Sequence, residues 1–557
     1  MKKSLSALLF LILAGSPLWG AGATVERIFV STDRPVYISG DDVWCSLSIL
    51  DGDGRFSNES AVSYLELISA DGTVCTAKIG LLEGRGAGSF RIPVSTPTGI
   101  YRLVAYTAVN AAEEGGPSLT GSRLLSIFNT TSAARVAGGV EIGKEVPTTL
   151  PPSLPAEGDL QLSTRTRLPR NTQSVLNLDN AGTTASISLS VYHEDDLLPV
   201  DGNCTPEAFL RSIPTSVRLQ RDVTPEFDGE VVTARVRGVD LQESDASALA
   251  TLSSAGSPSN VYVGRSYGTD LIRFHTSNIY GDRELVCEVT RMDRKDGYIE
   301  FESPFVHPDP GSLPKLVLQP GQKEALTARK AALRAEKDLR LDTLATFMTH
   351  REDLLLSSVA SHRYHLDDYT RFPSVREILV ELLPELRLRT DKGDKSLVLT
   401  VSDAGNMHFD RTRNILVMMD GVILSDIDLL LDFDAMLLED IDIYDQAFLV
   451  GRTPFNGIVN FITKNNYVTA LHFPSNVRVV DFQGVSYPVA YRGALPEGDG
   501  PDLRQLLFWH PLLKIEGGRG YRIEIHTPGY AGRFKAVAEG FTEDGKPVRQ
   551  EVVFEVE

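Results

Sequence analysis

The stretch RIFVSTDRPVYISGDDVW, residues 27–44, reads as strand, edge, turn, strand. Ile28, Phe29 and Val30 are strand formers in a run too short for a helix. Pro35 has no amide to give to a ladder and suits a sheet edge. Gly40-Asp41 turns the chain, and DVWCSLSIL resumes the β texture. The same texture spreads outward through SYLELISA, SFRIPV and YRLVAYTAV, with Gly, Asp and Pro clusters between the runs. Short strands at this spacing predict an antiparallel β-sandwich over residues 24–130.

Downstream, EVPTTLPPSLPAEGD carries Pro151, Pro152 and Pro155, which predict a stiff linker within 131–158. SVLNLD and ASISLSVYHEDD belong to a second β domain, 159–222. EFDGEVVTARVRG opens a third, 223–312, which continues through NVYVGRSYGTDLIRFHTS and RELVCEVT. After Pro320 the segment KEALTARKAALRAEKDLRLDTLATFM has no Gly or Pro and predicts a helix within a connector, 313–358. Arg329 and Lys330 interrupt the stripe of Leu326, Leu333, Leu341 and Leu344, so a helix lying on a β domain fits better than a coiled coil. Ser374 with Glu377 has capping-box spacing. Val375, Ile378, Leu379, Leu382 and Leu383 give that helix an apolar face, and Pro384 limits its length. NILVMMDGVILS then reads as strand, Asp420-Gly421 turn, strand. With DIDIYD and GIVNFITKNN it makes 359–473 an α+β domain, and the tail, 474–557, is β again. The expected class is multidomain and mainly β: several β-sandwich domains, one connecting helix and one α+β domain.

A chain of 557 residues exceeds one core and suggests roughly three to five domains. The net charge of −19 argues against nucleic acid and against adhesion to an anionic bilayer through a basic patch. Lys2 and Lys3, the apolar run LSALLFLILAG and the small residues Ala21-Gly22-Ala23 predict a signal peptide, 1–23, and therefore export. No later segment is apolar enough to cross a bilayer as a helix. Export permits disulfides. Cys45 and Cys75 share one predicted β domain and are the candidate pair; Cys204 and Cys287 lie in different segments, and four buried free thiols are the alternative.

The chemical motifs are weak. Gly264-Arg265-Ser266-Tyr267-Gly268 fits G-x-S-x-G, with Asp270 and His275 nearby. A nucleophile elbow needs a strand-to-helix turn, and the flanks predict strand, turn, strand. Gly84, Gly86 and Gly88 lack the helix of a phosphate loop and read as a β turn. Asp51-Gly52-Asp53-Gly54 lacks the EF-hand continuation and also reads as a turn. His350, His362 and His365, with Asp367 and Asp368, form the densest imidazole group, with His362 and His365 able to share a helical face; a polar surface loop is the plainer reading. His193-Glu194-Asp195-Asp196 reads as a solvated strand end. No catalytic residue, metal ligand or cofactor site is expected.

Two family resemblances follow from residues already quoted. Thr32, Asp33, Arg34, Pro35, Tyr37 and Gly40, with GSFRIPVSTPTGIYRLVAYT as the later hairpin, resemble a macroglobulin-type domain of α2-macroglobulin-like proteins. SVREILVELLPELRLR, ILVMMDGVILS, MLLEDIDIYD and FNGIVNFITK resemble, in that order, the plug of TonB-dependent outer-membrane receptors. Leu438, Glu439, Asp440 and Ile441 carry the central phrase, and Gly457, Thr463 and Lys464 the end. In combination the chain resembles exported Bacteroidetes-type envelope proteins. That resemblance implies a periplasmic or outer-membrane-associated location and an envelope-protein partner, with an outer-membrane β-barrel or transporter as the candidate. It implies no chemistry, and the thioester motif Cys-Gly-Glu-Gln of trapping macroglobulins is missing. About 93 residues follow Lys464, whereas a receptor barrel needs roughly twenty spanning strands, so a plug-like domain without a receptor barrel is expected. The alternatives are a glycan- or peptide-binding accessory protein of an outer-membrane uptake system, and a serine hydrolase using Ser266.

Overall fold

A computed structural model of the protein describes residues 25–144, 158–237, 250–289, 298–338, 344–346, 359–402, 409–450, 453–491 and 502–557, except 222, 225, 257–259 and 278. The expected signal peptide, the proline cluster of the linker and His350 lie outside the described residues.

The stretch that opens the analysis folds as read. β1 (Arg27–Thr32) pairs antiparallel with β3 (Asp42–Leu50), and β2 (Val36–Ile38) leaves it to lie beside the strand Arg123–Phe128 in parallel. The first module runs in the order β1, β3, Arg85–Arg91, Gly72–Leu82, Val62–Ser69, Gly99–Tyr106, Arg123–Phe128, β2. Val30, Val43, Leu47, Leu65, Ile79, Leu103 and Ile127 are among the side chains of its core. Gly84, at φ +70°, turns the chain between two of these strands, and a Cβ there would fall 2.7 Å from the Ser57 carbonyl oxygen. That confirms a turn and leaves no room for a phosphate loop.

The remaining β modules are assembled from distant parts of the chain. Segments 159–222 and 474–557, read above as separate domains, contribute to the same two sheets. Arg519–His526 pairs with Gln173–Asn180, and Ala185–Glu194 lies between Leu506–Ile515 and Gly532–Thr542. Ile187, Leu189, Phe534, Ala536 and Phe554 close one core between them. Neither half has enough apolar strands to bury its own inner face, which explains the mutual dependence. The third module also recruits the tail: Val477–Gln483 pairs with Asp282–Val289 over seven residues. Val485–Ser486 then joins the first module beside Lys78–Ile79.

The connecting helix spans Lys323–Asp338 and is shorter than its composition suggests. Leu344–Thr346, inside the expected helix, is instead a strand paired with Val489–Tyr491. A sheet edge within reach outweighs the weak helical preference of that end. The helix rests on the first module, with Leu326 and Leu333 against a cluster that includes Val36, Ile38 and Phe128.

The described residues of 359–473 form an α+β unit whose core also takes in Val286 of the third module. Its sheet runs His362–His365, Leu438–Tyr444, Ile458–Thr463, Leu416–Met419, Val422–Ile423. Ser374 caps the helix Val375–Glu381 by accepting from the Glu377 amide at 3.3 Å. Val375, Ile378 and Leu379 point into the core with Phe461 and Ile441. The Asp420-Gly421 turn has φ of +48° and +79°, the two left-handed residues that a type I′ hairpin requires.

Candidate functional site

The motifs that could carry chemistry do not converge. Ser266 lies within the exposed strand Arg265–Tyr267, opposite Ile272, with no helix following. Asp270 is held by Arg235 at 3.0 Å. His362 and His365 sit on a strand, three residues apart, so they face opposite sides of the sheet. His365 Nδ1 is 2.7 Å from Asp440, and that hydrogen bond holds its pKa above the usual value. No cluster able to hold a metal ion occurs among the described residues. Asp51 accepts from the amides of Asp53 and Arg55 at 2.9 Å each, as a turn does.

All four cysteines are free thiols, Cys45 and Cys75 included. Cys45 faces Gly88 across its strand pair and Cys75 faces Leu67 across a different one. Burial raises both thiols, Cys75 to about 12, which makes them poor nucleophiles.

The residues of the first motif form a buried polar knot. Asp33 Oδ1 accepts from the Tyr37 hydroxyl at 2.7 Å and from the Trp44 amide at 2.9 Å. Arg34 lies 3.5 Å from Asp33 and 3.3 Å from Asp41. Burial lifts the Asp33 carboxyl to about 6. The knot ties β2 to β3 and touches no open surface, so its role is structural.

Similar knots sit at joints between modules. Lys78 donates to both oxygens of Glu230, at 2.8 and 2.7 Å, from the first module to the third. Beside it Tyr64 donates to Glu226 at 2.7 Å, and burial lifts that carboxyl to about 7. Glu539 receives the Ser31 hydroxyl at 2.7 Å and is paired with Arg123, joining the first module to the last. Phe29, Phe209 and Phe541 pack around that contact. The His193–Asp196 segment is not solvated as expected. Asp195 is gripped by Arg329 of the connecting helix at 2.6 and 3.1 Å, Glu194 by Arg533 at 2.9 Å, and His193 packs on Tyr530 and Phe534. Pattern reading misses these partners because they lie more than a hundred residues away; the only cue is charge inside β-prone runs.

The α+β unit meets this frame along one side, where the Gly256 amide donates to the Asp420 carbonyl at 3.0 Å and Val286 enters its core. Asp420, itself buried, accepts from the Thr463 amide and hydroxyl at 2.7 Å each and from the Val468 amide at 3.2 Å. It thereby ends GIVNFITKNN, where Asn466 turns left-handed at φ +54°. The unit braced in this way exposes Val359, Tyr369, Val380, Met436 and Leu449. A shallow cleft of about 180 Å³ lies among Leu366, Arg371, Phe372, Ile378 and Leu382. That figure includes open solvent, and the cleft encloses no space for a ligand.

No family model matches the chain, and no curated protein does. Among solved structures it is similar to bacterial alpha-2-macroglobulins. A mutant of the Salmonella protein aligns at 10% identity and TM-score 0.24, covering 99% of this chain and 40% of that one. The trypsin-activated Escherichia coli protein aligns at 9% identity and TM-score 0.23, covering 98% and 42%. The chain thus spans about two fifths of the length of these neighbours.

Proposed function

We propose that this chain is a non-enzymatic cell-envelope protein, exported to the periplasm or the outer membrane, whose β modules form a rigid frame for the α+β unit. The unit resembles a receptor plug, and its partner is another envelope component, an outer-membrane barrel or transporter in the first instance. The observation that carries the reading is topological. The chain leaves the frame after the strand Leu344–Thr346 and re-enters it at Val477–Gln483. The described residues between build most of a core from their own side chains, joined by Val286 of the third module, and they carry exposed apolar side chains. The tail forms sandwich sheets with the strands of 160–194 and is part of the frame. Ser266 stands on an exposed hairpin with no helix after it and Asp270 is taken up by Arg235, which favours binding over hydrolysis.

A photoreactive side chain placed at Leu449 or Met436 tests this in cells. The expected product is a crosslink to an outer-membrane β-barrel protein. Capture from control positions on the first module, with none from Leu449 or Met436, overturns the proposal.

A further inference from the structure

The strand Arg519–His526 ends its sheet, in the order Leu160–Ser163, Gln173–Asn180, Arg519–His526. It pairs with Gln173–Asn180 over eight residues without a bulge. Edges of this kind are commonly guarded by Pro, bulges, charged side chains or a covering segment; among the described residues this one has no Pro, bulge or cover, and its charges are Arg519, Arg522 and Glu524, of both signs.

The register fixes which groups face outward. Thr527 donates its amide to the Thr172 carbonyl at 3.0 Å, so Thr172 and Thr527 are a hydrogen-bonded pair. Antiparallel alternation then turns the amides and carbonyls of Tyr521, Ile523 and Ile525 toward the partner strand. Those of Gly520, Arg522 and Glu524 point to the open side. The His526 carbonyl, also on that side, accepts from Arg504 at 3.3 Å and bounds the free stretch. Side chains alternate as well: Arg522 and Glu524 are exposed, whereas Ile525 is buried and Tyr521 and Ile523 pack partly on the core.

We propose that this edge is a homodimer interface, in which two copies of the chain pair antiparallel about a two-fold axis through Ile523. Arg522 of each copy then lies directly opposite Glu524 of the other, on the outward face and in hydrogen-bonded positions. On the inward face Ile523 meets Ile523, and Tyr521 meets Ile525, so the two three-stranded sheets become one. The interface is isologous, as a two-fold requires. Charge selects the register: a slip of two residues either way sets Arg522 against Arg522 or Glu524 against Glu524. Arg522 makes no ion pair or hydrogen bond among the described residues, and Glu524 is engaged only by the Gln173 amide at 2.8 Å. A single strand pair buries little area, so the dimer forms weakly and dissociates on dilution.

Sedimentation velocity of the mature chain over a concentration series is the test. The wild type shifts from monomer to dimer as concentration rises. Arg522→Glu and Glu524→Arg each weaken association by about tenfold or more. An equimolar mixture of the two variants restores it, because each then meets its opposite charge. Amide exchange of the wild type gives a reading independent of any variant, with protection of Gly520, Arg522 and Glu524 growing with concentration. A wild type that stays monomeric, single variants that dimerise unchanged, or a mixture that stays apart overturns the proposal.

Discussion

At the residue scale, the decisive groups are buried carboxylates with more than one donor. Asp420 accepts three hydrogen bonds that hold the end of GIVNFITKNN. Asp420→Ala strands the Thr463 and Val468 amides in the interior and costs about 2–4 kcal/mol. Amide exchange should show Ile458–Thr463 losing protection while the first module keeps its own. Glu226 titrates in the opposite sense to a salt-bridged carboxylate. Its folded-state pKa of about 7 lies above the ordinary 4.5, so the native chain binds the extra proton between these values. Its contribution is complete below pH 4.5 and is lost as pH rises through 7. Urea titrations at pH 5 and pH 8 should show this loss, up to about 3 kcal/mol, and Glu226→Gln should reduce it, leaving the part due to other buried carboxyls such as Asp33. The Asp-Gly turn and the Ser374 cap were legible from the residues because their partners lie within a few positions. Glu226 and Glu539 were not, because their partners Tyr64 and Ser31 come from other modules.

At the element scale, local pattern identified many strands and the helices Lys323–Asp338 and Val375–Glu381, missed the short helices Pro206–Ser212 and Ile427–Leu431, and failed where two elements competed for the same residues. Leu344–Thr346 carries helix-forming residues yet pairs with a strand almost 150 positions later. The connecting helix was expected to lie on a β domain, as it does, with Arg329 only a break in its stripe. Arg329 is its anchor, donating to Asp195 and to the Val36 carbonyl at 2.8 Å. Removing one partner of a buried ion pair costs roughly 3–5 kcal/mol. Arg329→Ala should therefore make Lys323–Asp338 the first segment cut in limited proteolysis, ahead of any loop of the α+β unit.

At the scale of the whole molecule, the chain doubles back on itself. Residues after Phe473 visit the third module, the first module and the strands of 160–194 in turn. Sequence separates these segments cleanly because each is β-rich with its own turns. It says nothing about which segments share a sheet, since β pairing is set by tertiary burial rather than by neighbours in the chain. The frame follows from this return path, and the exposed α+β unit follows from the frame. The most direct test is a cysteine pair, Ser190→Cys with Val537→Cys, at positions that face each other across the central strand pair. Mild oxidation of the purified full-length chain, digestion and mass spectrometry should yield a peptide linking 190 to 537 in high proportion. Failure to form that link in the folded protein, with the tail instead linking to other tails or partitioning into lipid, would contradict the account.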